Sequence, residues 1–193
     1  MLKLRVGPPP ENSIVTGDAV WKPVSGYETT GAGALRILAV GLACTLITIG
    51  LWVTLVPGSL PIGWPSISST LFVLVMLVLV HEALHLLAFP GAGVANAIAG
   101  FWPAKGAAYV GYTLPIFRNR FVLVTLVPML VLSAGVLAAA VLGVRVSVPL
   151  QWASVLNAFG SGADLLVVYL VIQQSSSSAL VLGSAQRLYT REA

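Results

Sequence analysis

Four runs of apolar residues divide the chain: Leu35–Val56, Ile67–Phe89, Phe121–Gly143 and Leu150–Ile172. Each matches the roughly 20 residues that cross ~30 Å of hydrocarbon at ~1.5 Å per residue. The punctuation between them suits helices. Pro57-Gly58 closes the first run and Pro90-Gly91 the second, while Pro149 suits the opening turn of the fourth, where a missing N–H is not needed. Pro128 falls inside the third run and predicts a kink there. Between the second and third runs, GFWPAKGAAYVGYTLP is rich in glycine, aromatic and β-branched residues, unlike a helix. Two arrangements fit it. One is a re-entrant β-hairpin, irregular backbone that survives at membrane depth when buried in protein. The other is an ordered cytoplasmic loop covering the bundle. The exposed edge of a hairpin would hold an unwound substrate by strand addition.

Composition changes this picture only by sharpening it. Of 193 residues, 58% are hydrophobic and 8% charged, whereas soluble domains carry about 25% charged residues. Mean hydropathy is +0.96. The expected fold is an all-α integral membrane protein with four transmembrane helices. Its parts are an N-terminal segment (1–33), a membrane domain (34–172) and a C-terminal tail (173–193). The first part reads as extended or loosely folded, and Ser175–Ser178 as a flexible exit from the last helix. MLKLRVGPPPENS holds no apolar core before its prolines, so no cleaved signal peptide is expected. Cys44, the single cysteine, reads as a small buried hydrophobe.

Charge placement sets the orientation. With four spans, both termini and the 90–120 connection share one side. That side holds Lys3, Arg5, Lys22, Arg36, Lys105, Arg118, Arg120, Arg187 and Arg191, and the other holds Arg145 alone. Nine basic residues against one place both termini in the cytoplasm. Trp52, Trp64 and Trp152 sit at the opposite helix ends, as interfacial anchors would, and Arg118 and Arg120 suit the same role at the third helix. The net charge of +4 is spent on membrane flanks, so lipid rather than nucleic acid is the expected neighbour.

The acids carry the chemistry. Glu11, Asp18, Glu28 and Glu192 lie in the tails, but Glu82 and Asp164 lie inside spans, and both histidines accompany Glu82. An ionisable group at mid-bilayer costs a few kcal/mol at least, so it is kept where it pairs, binds an ion or does chemistry. His81-Glu82-Ala83-Leu84-His85 matches H-E-x-x-H: residues i and i+4 share one helical face, so both imidazoles reach one metal. Glu82, rotated off that axis, can take a proton from an attacking water. Zinc favours such nitrogen donors and polarises a peptide carbonyl. A hydrogen-bonded polar cluster or a proton relay would use the same residues without catalysis.

A catalytic zinc takes a third protein ligand and keeps one position open. Asp164 is the only other acid within a span, and its depth fits. His81 precedes Phe89, and Asp164 precedes Ile172, by the same eight residues, each about 12 Å from its helix end. A carboxylate paired with a neighbouring arginine is the other reading. Asn157, Ser161 and Asp164 fall at i, i+4 and i+7, one helical face. Asn157 could donate to a scissile carbonyl or its oxyanion, or join helices. Ser161 suits a hydrogen bond to its own backbone or to the carboxylate better than a nucleophile's role, because no separate base is at hand.

These motifs together resemble the small membrane family of zincin peptidases, itself distantly similar to site-2 protease intramembrane metalloproteases. The resemblance rests on HEALH, the glycine-rich connection, LPIFRNRFVLVTLVP leading into the third span, and Asn157 with Ser161-Gly162-Ala163-Asp164, and it covers roughly 35–172. It implies zinc at His81, His85 and Asp164, Glu82 as general base, and a membrane-inserted or membrane-adjacent protein substrate. The sequence departs from the site-2 pattern at Leu165, where that group places a glycine after the aspartate. A non-catalytic metal-binding or metal-transporting membrane protein would use the same ligands.

Overall fold

The computed structural model describes residues 2–12, 14, 20–27, 31–60, 67–92, 96–184 and 187–193. Asp18, Glu28 and Trp64 fall outside them. Helix α1 spans Ala32–Leu55 and α2 spans Ile67–Ala88. Helix α3 covers Arg118–Val141, in three parts: α-helical Arg118–Pro128, a π-helix over Met129–Gly135, and a last α-helical stretch, Val136–Val141. Where Pro128 predicts a kink, the chain therefore widens into π-helix, a common answer to a lost i→i−4 bond. The fourth apolar run is not one helix but two, α4 (Val148–Gly160) and α5 (Gly162–Gln174), bent by 41°. Three helices are long and apolar enough to cross a membrane, or four spans if the bent pair counts as one. Their outward faces agree: Leu38, Leu42 and Leu46 on α1 and Phe72, Val75 and Leu79 on α2 are exposed, which in water would be an unsustainable apolar surface.

The all-α expectation needs correction, because two sheets sit at one end of the bundle. The first has the order β1-β3-β4: β1 (Lys3–Val6) runs parallel to β3 (Ala97–Trp102), which pairs antiparallel with β4 (Ala107–Tyr112). The second has the order β2-β7-β6-β5, joining β2 (Lys22–Pro23), β7 (Arg187–Arg191), β6 (Leu180–Ser184) and β5 (Ile116–Phe117). A hairpin, β3–β4, does form in the 90–120 connection and pairs with β1 of the N-terminal segment, while β5 of the same connection pairs with β6 of the C-terminal tail. The physical reason is that a strand of two to six residues gains its hydrogen bonds from distant chain, so local polarity is a poor guide to it.

Packing fixes the bundle around α4. Gln151, Ser154, Asn157 and Ser161 are buried along it at helical spacing, and each is tied to protein. Trp52 Nε1 donates to Ser154 Oγ (2.8 Å), Ser133 Oγ donates to the Ser154 carbonyl (2.8 Å), and Gln151 Oε1 accepts from the Leu60 N–H (2.8 Å). Trp52 is thus wholly buried and is a core residue rather than an interfacial anchor. At the break between α4 and α5, Gly162 lies so close to α1 that a Cβ would stand 2.6 Å from the Gly41 backbone. Arg118 donates to the Ser175 carbonyl past the end of α5 (2.8 Å), and Arg120 donates to the Ala88 carbonyl at the end of α2. Both arginines satisfy helix C-termini, where cations suit the dipole.

Candidate metal centre

His81 and His85 stand one turn apart on α2, and Asp164 occupies the first turn of α5. The break at Ser161 turns α5 so that this carboxylate faces α2. His81 Nε2 lies 3.2 Å from Asp164 Oδ2, His85 Nε2 lies 3.6 Å from the same oxygen, and the two Nε2 atoms are 3.2 Å apart. Three potential ligand atoms therefore form a nearly regular triangle. Tetrahedral zinc with bonds of about 2.0–2.2 Å requires edges of about 3.3–3.6 Å.

The hydrogen positions follow from the neighbours. Asn157 Nδ2 donates to the Pro128 carbonyl (3.1 Å), which can only accept, and to Ser133 Oγ (2.9 Å). That fixes the amide with Oδ1 toward His81 Nδ1 at 2.9 Å, so the proton on that side belongs to His81 Nδ1. His85 Nδ1 lies 2.9 Å from the Val124 carbonyl and must likewise donate. In the neutral rings both Nε2 atoms then carry lone pairs, aimed at each other and at a carboxylate oxygen. Asp164 Oδ2 is buried and receives no hydrogen bond despite its two short approaches. Three electron-pair donors with no hydrogen between them repel one another until a cation fills the centre, either a proton on one Nε2, which makes an ion pair with Asp164, or a metal ion. His and carboxylate donors, each imidazole backed by an acceptor at its other nitrogen, suit zinc.

Glu82 follows His81 on α2, near Val110 of β4. Asn157 adjoins the centre with both amide hydrogens engaged, so it orients His81 and has no free donor for a substrate. Ser161 is fully buried, 3.5 Å from Asn157 Nδ2. Sequence reasoning missed Ser133, Val124 and Pro128; the only sequence signal among them was a proline and a serine inside an apolar run.

A cleft of about 730 Å³ reaches the centre from the sheet end, lined by His85, Asp164, Tyr27, Phe89 and residues of β4 on one wall and by Leu188 of β7 on another. The Thr113 N–H turns inward to the Asn96 carbonyl, so strand alternation directs the backbone groups of Ala108, Val110 and Tyr112 outward, away from β3. Burial, and after it the negative charge of Asp164, pushes the Tyr27 phenol above its ordinary range, so this cleft residue is a neutral hydroxyl at neutral pH.

A family model described as "Putative zincin peptidase" matches residues 74–179, just over half of the chain, from α2 to the start of β6. No curated protein and no solved structure matches.

Proposed function

The chain belongs to this zincin peptidase family, and from that premise we propose that it is a membrane-embedded zinc metallopeptidase. The observation that carries the proposal is the triangle of His81 Nε2, His85 Nε2 and Asp164 Oδ2, with both imidazole protons held on the far side. In this reading those three residues hold zinc and leave one position open. When bound, zinc supplies a Lewis acid that makes water a nucleophile near neutral pH and polarises the scissile carbonyl.

The chain's own residues do the rest. Glu82, which follows His81 on α2 near Val110 of the β4 edge, receives the proton of the attacking water and returns it to the leaving amine. An extended segment of a membrane-inserted or membrane-adjacent protein adds to that edge, which supplies sequence-tolerant backbone bonds. The cleft lies on the cytoplasmic side, at the membrane surface or dipping into it, because nine of the ten basic residues flank that end. On this reading the chain cleaves peptide bonds within or beside the bilayer, as the resemblance to site-2 proteases expected from the sequence implies. A metal carrier would use the same ligands but needs polar groups leading to both faces. Here Ser133, Ser154 and Gln151, which continue beyond the centre, are spent on protein hydrogen bonds.

The test is metal analysis of purified protein beside Glu82→Gln, with a peptide-cleavage assay on both. Glu82→Gln is expected to retain zinc and lose cleavage. Persistent cleavage would remove Glu82 as the base, and loss of zinc would make it a ligand or a structural partner.

A further inference from the structure

Both oxygens that orient the imidazoles trace to one residue of α3. In an unbroken α-helix the Val124 carbonyl would accept from the N–H of residue 128. Residue 128 is proline and has no N–H. The next N–H, that of Met129, turns to the Leu126 carbonyl instead. The Val124 carbonyl is thereby left for His85 Nδ1–H, at 2.9 Å. On the other side of the proline the helix opens into the π segment Met129–Gly135. There the Pro128 carbonyl accepts from Asn157 Nδ2 at 3.1 Å, and that bond aims Asn157 Oδ1 at His81 Nδ1.

We propose that Pro128 is a positioning residue of the metal centre, whose missing N–H leaves a helix carbonyl open to His85 and whose own carbonyl sets the amide that holds His81. One backbone defect thus orients both imidazoles with Nε2 toward the ion. The bent-helix role usually given to such a proline is a different claim, because a kink needs the ring's shape and this role needs the absent hydrogen. The inference rests on the zinc reading above.

Two full-length proteins separate the roles. Pro128→Ala restores an N–H at this position. Lactic acid incorporated at position 128 presents the same methyl group on an ester linkage, without an N–H. The zinc dissociation constant of each is measured by competition with a chromophoric chelator, alongside the visible absorption of the Co²⁺-loaded protein. In Pro128→Ala the new N–H captures the Val124 carbonyl, and zinc binding weakens about 10- to 100-fold, the usual cost of an imidazole losing its outer partner. The Co²⁺ bands shift with it. The ester protein keeps wild-type affinity and bands. Equal affinity in the two proteins, whether both tight or both weak, overturns the proposal, because the N–H is the difference between them that faces the Val124 carbonyl. A wild-type chain that binds no zinc overturns the zinc reading itself, and the wild-type measurement tells the two failures apart.

Discussion

Each neutral imidazole at the candidate metal centre has one N–H and spends it on an oxygen, the Asn157 amide for His81 and the Val124 carbonyl for His85. The three atoms left facing one another can only donate electron pairs. This asymmetry separates two substitutions that look alike on paper. Asp164→Ala removes a donor atom, leaving two nitrogens to hold the ion. Asn157→Ala keeps all three donors but strands His81 Nδ1–H in a buried place, at about 1–3 kcal/mol. Zinc binding is expected to weaken about 10- to 100-fold in Asn157→Ala and further in Asp164→Ala, with cleavage lost in the latter. Chelator competition on the two variants checks the order; an Asn157→Ala protein as tight as wild type would show that the amide does not orient the ring. The residues of this triangle were legible in the sequence, because i, i+4 spacing and acids inside apolar runs are local patterns. The orientation of Asn157 was not. Its two amide faces are alike in sequence, and only the position of the Pro128 carbonyl decides which one meets the histidine.

At the scale of elements, apolar length predicts α1, α2 and α3 to within a few residues, because a helix satisfies its own backbone and hydropathy reports what surrounds it. The fourth run defeats that logic at Ser161. Gly160-Ser161-Gly162 stays apolar enough to read through, yet the chain bends by 41° there and restarts as α5, with Asp164 in the first turn. The bend is held from outside, since the Gly162 Cα sits against the Gly41 backbone of α1 with no room for a methyl group. Gly162→Ala would put a Cβ 2.6 Å from Gly41 Cα and N and 3.0 Å from the Ile37 carbonyl, all of them backbone atoms that cannot rotate away. It is expected to cost about 1–3 kcal/mol as overpacking and to displace α5, so that zinc affinity falls together with the melting temperature. Gly160→Ala, where a Cβ meets nothing within 4 Å, is the control in the same segment. If both variants melt and bind zinc alike, α1 does not set the position of Asp164.

The whole molecule is tied together by pairings that no local pattern announces. Lys3 stands opposite Ile98, and Lys22 opposite Thr190, so one register is set by contacts about half the chain apart and the other by contacts nearly its whole length apart. These pairings constrain topology as well as shape. One sheet joins β2, just before α1, to β5, just before α3, through β6 and β7, which follow α5. The N-terminal segment, the connection after α2 and the C-terminal tail must therefore lie at one end of the bundle, whichever side of a bilayer that end meets. In a bilayer this arrangement implies an even number of crossings, with the bent pair α4 and α5 counted as a single span. The basic residues then choose the side: Arg118, Arg120, Lys105 and Arg191 all lie at the sheet end, and Arg145 lies in the connection between α3 and α4, at the other. Single cysteines placed in a Cys44→Ala background at positions 105, 145 and 191 test both statements at once, using a membrane-impermeant thiol reagent on intact cells. Position 145 is expected to label from outside, and positions 105 and 191 only after the membrane is opened. Labelling of 105 and 191 from outside, with 145 protected, would keep the sheet and invert the orientation. Labelling of 105 and 191 from different sides would be incompatible with the β5–β6–β7 pairing, and would remove the wall that the tail contributes to the cleft.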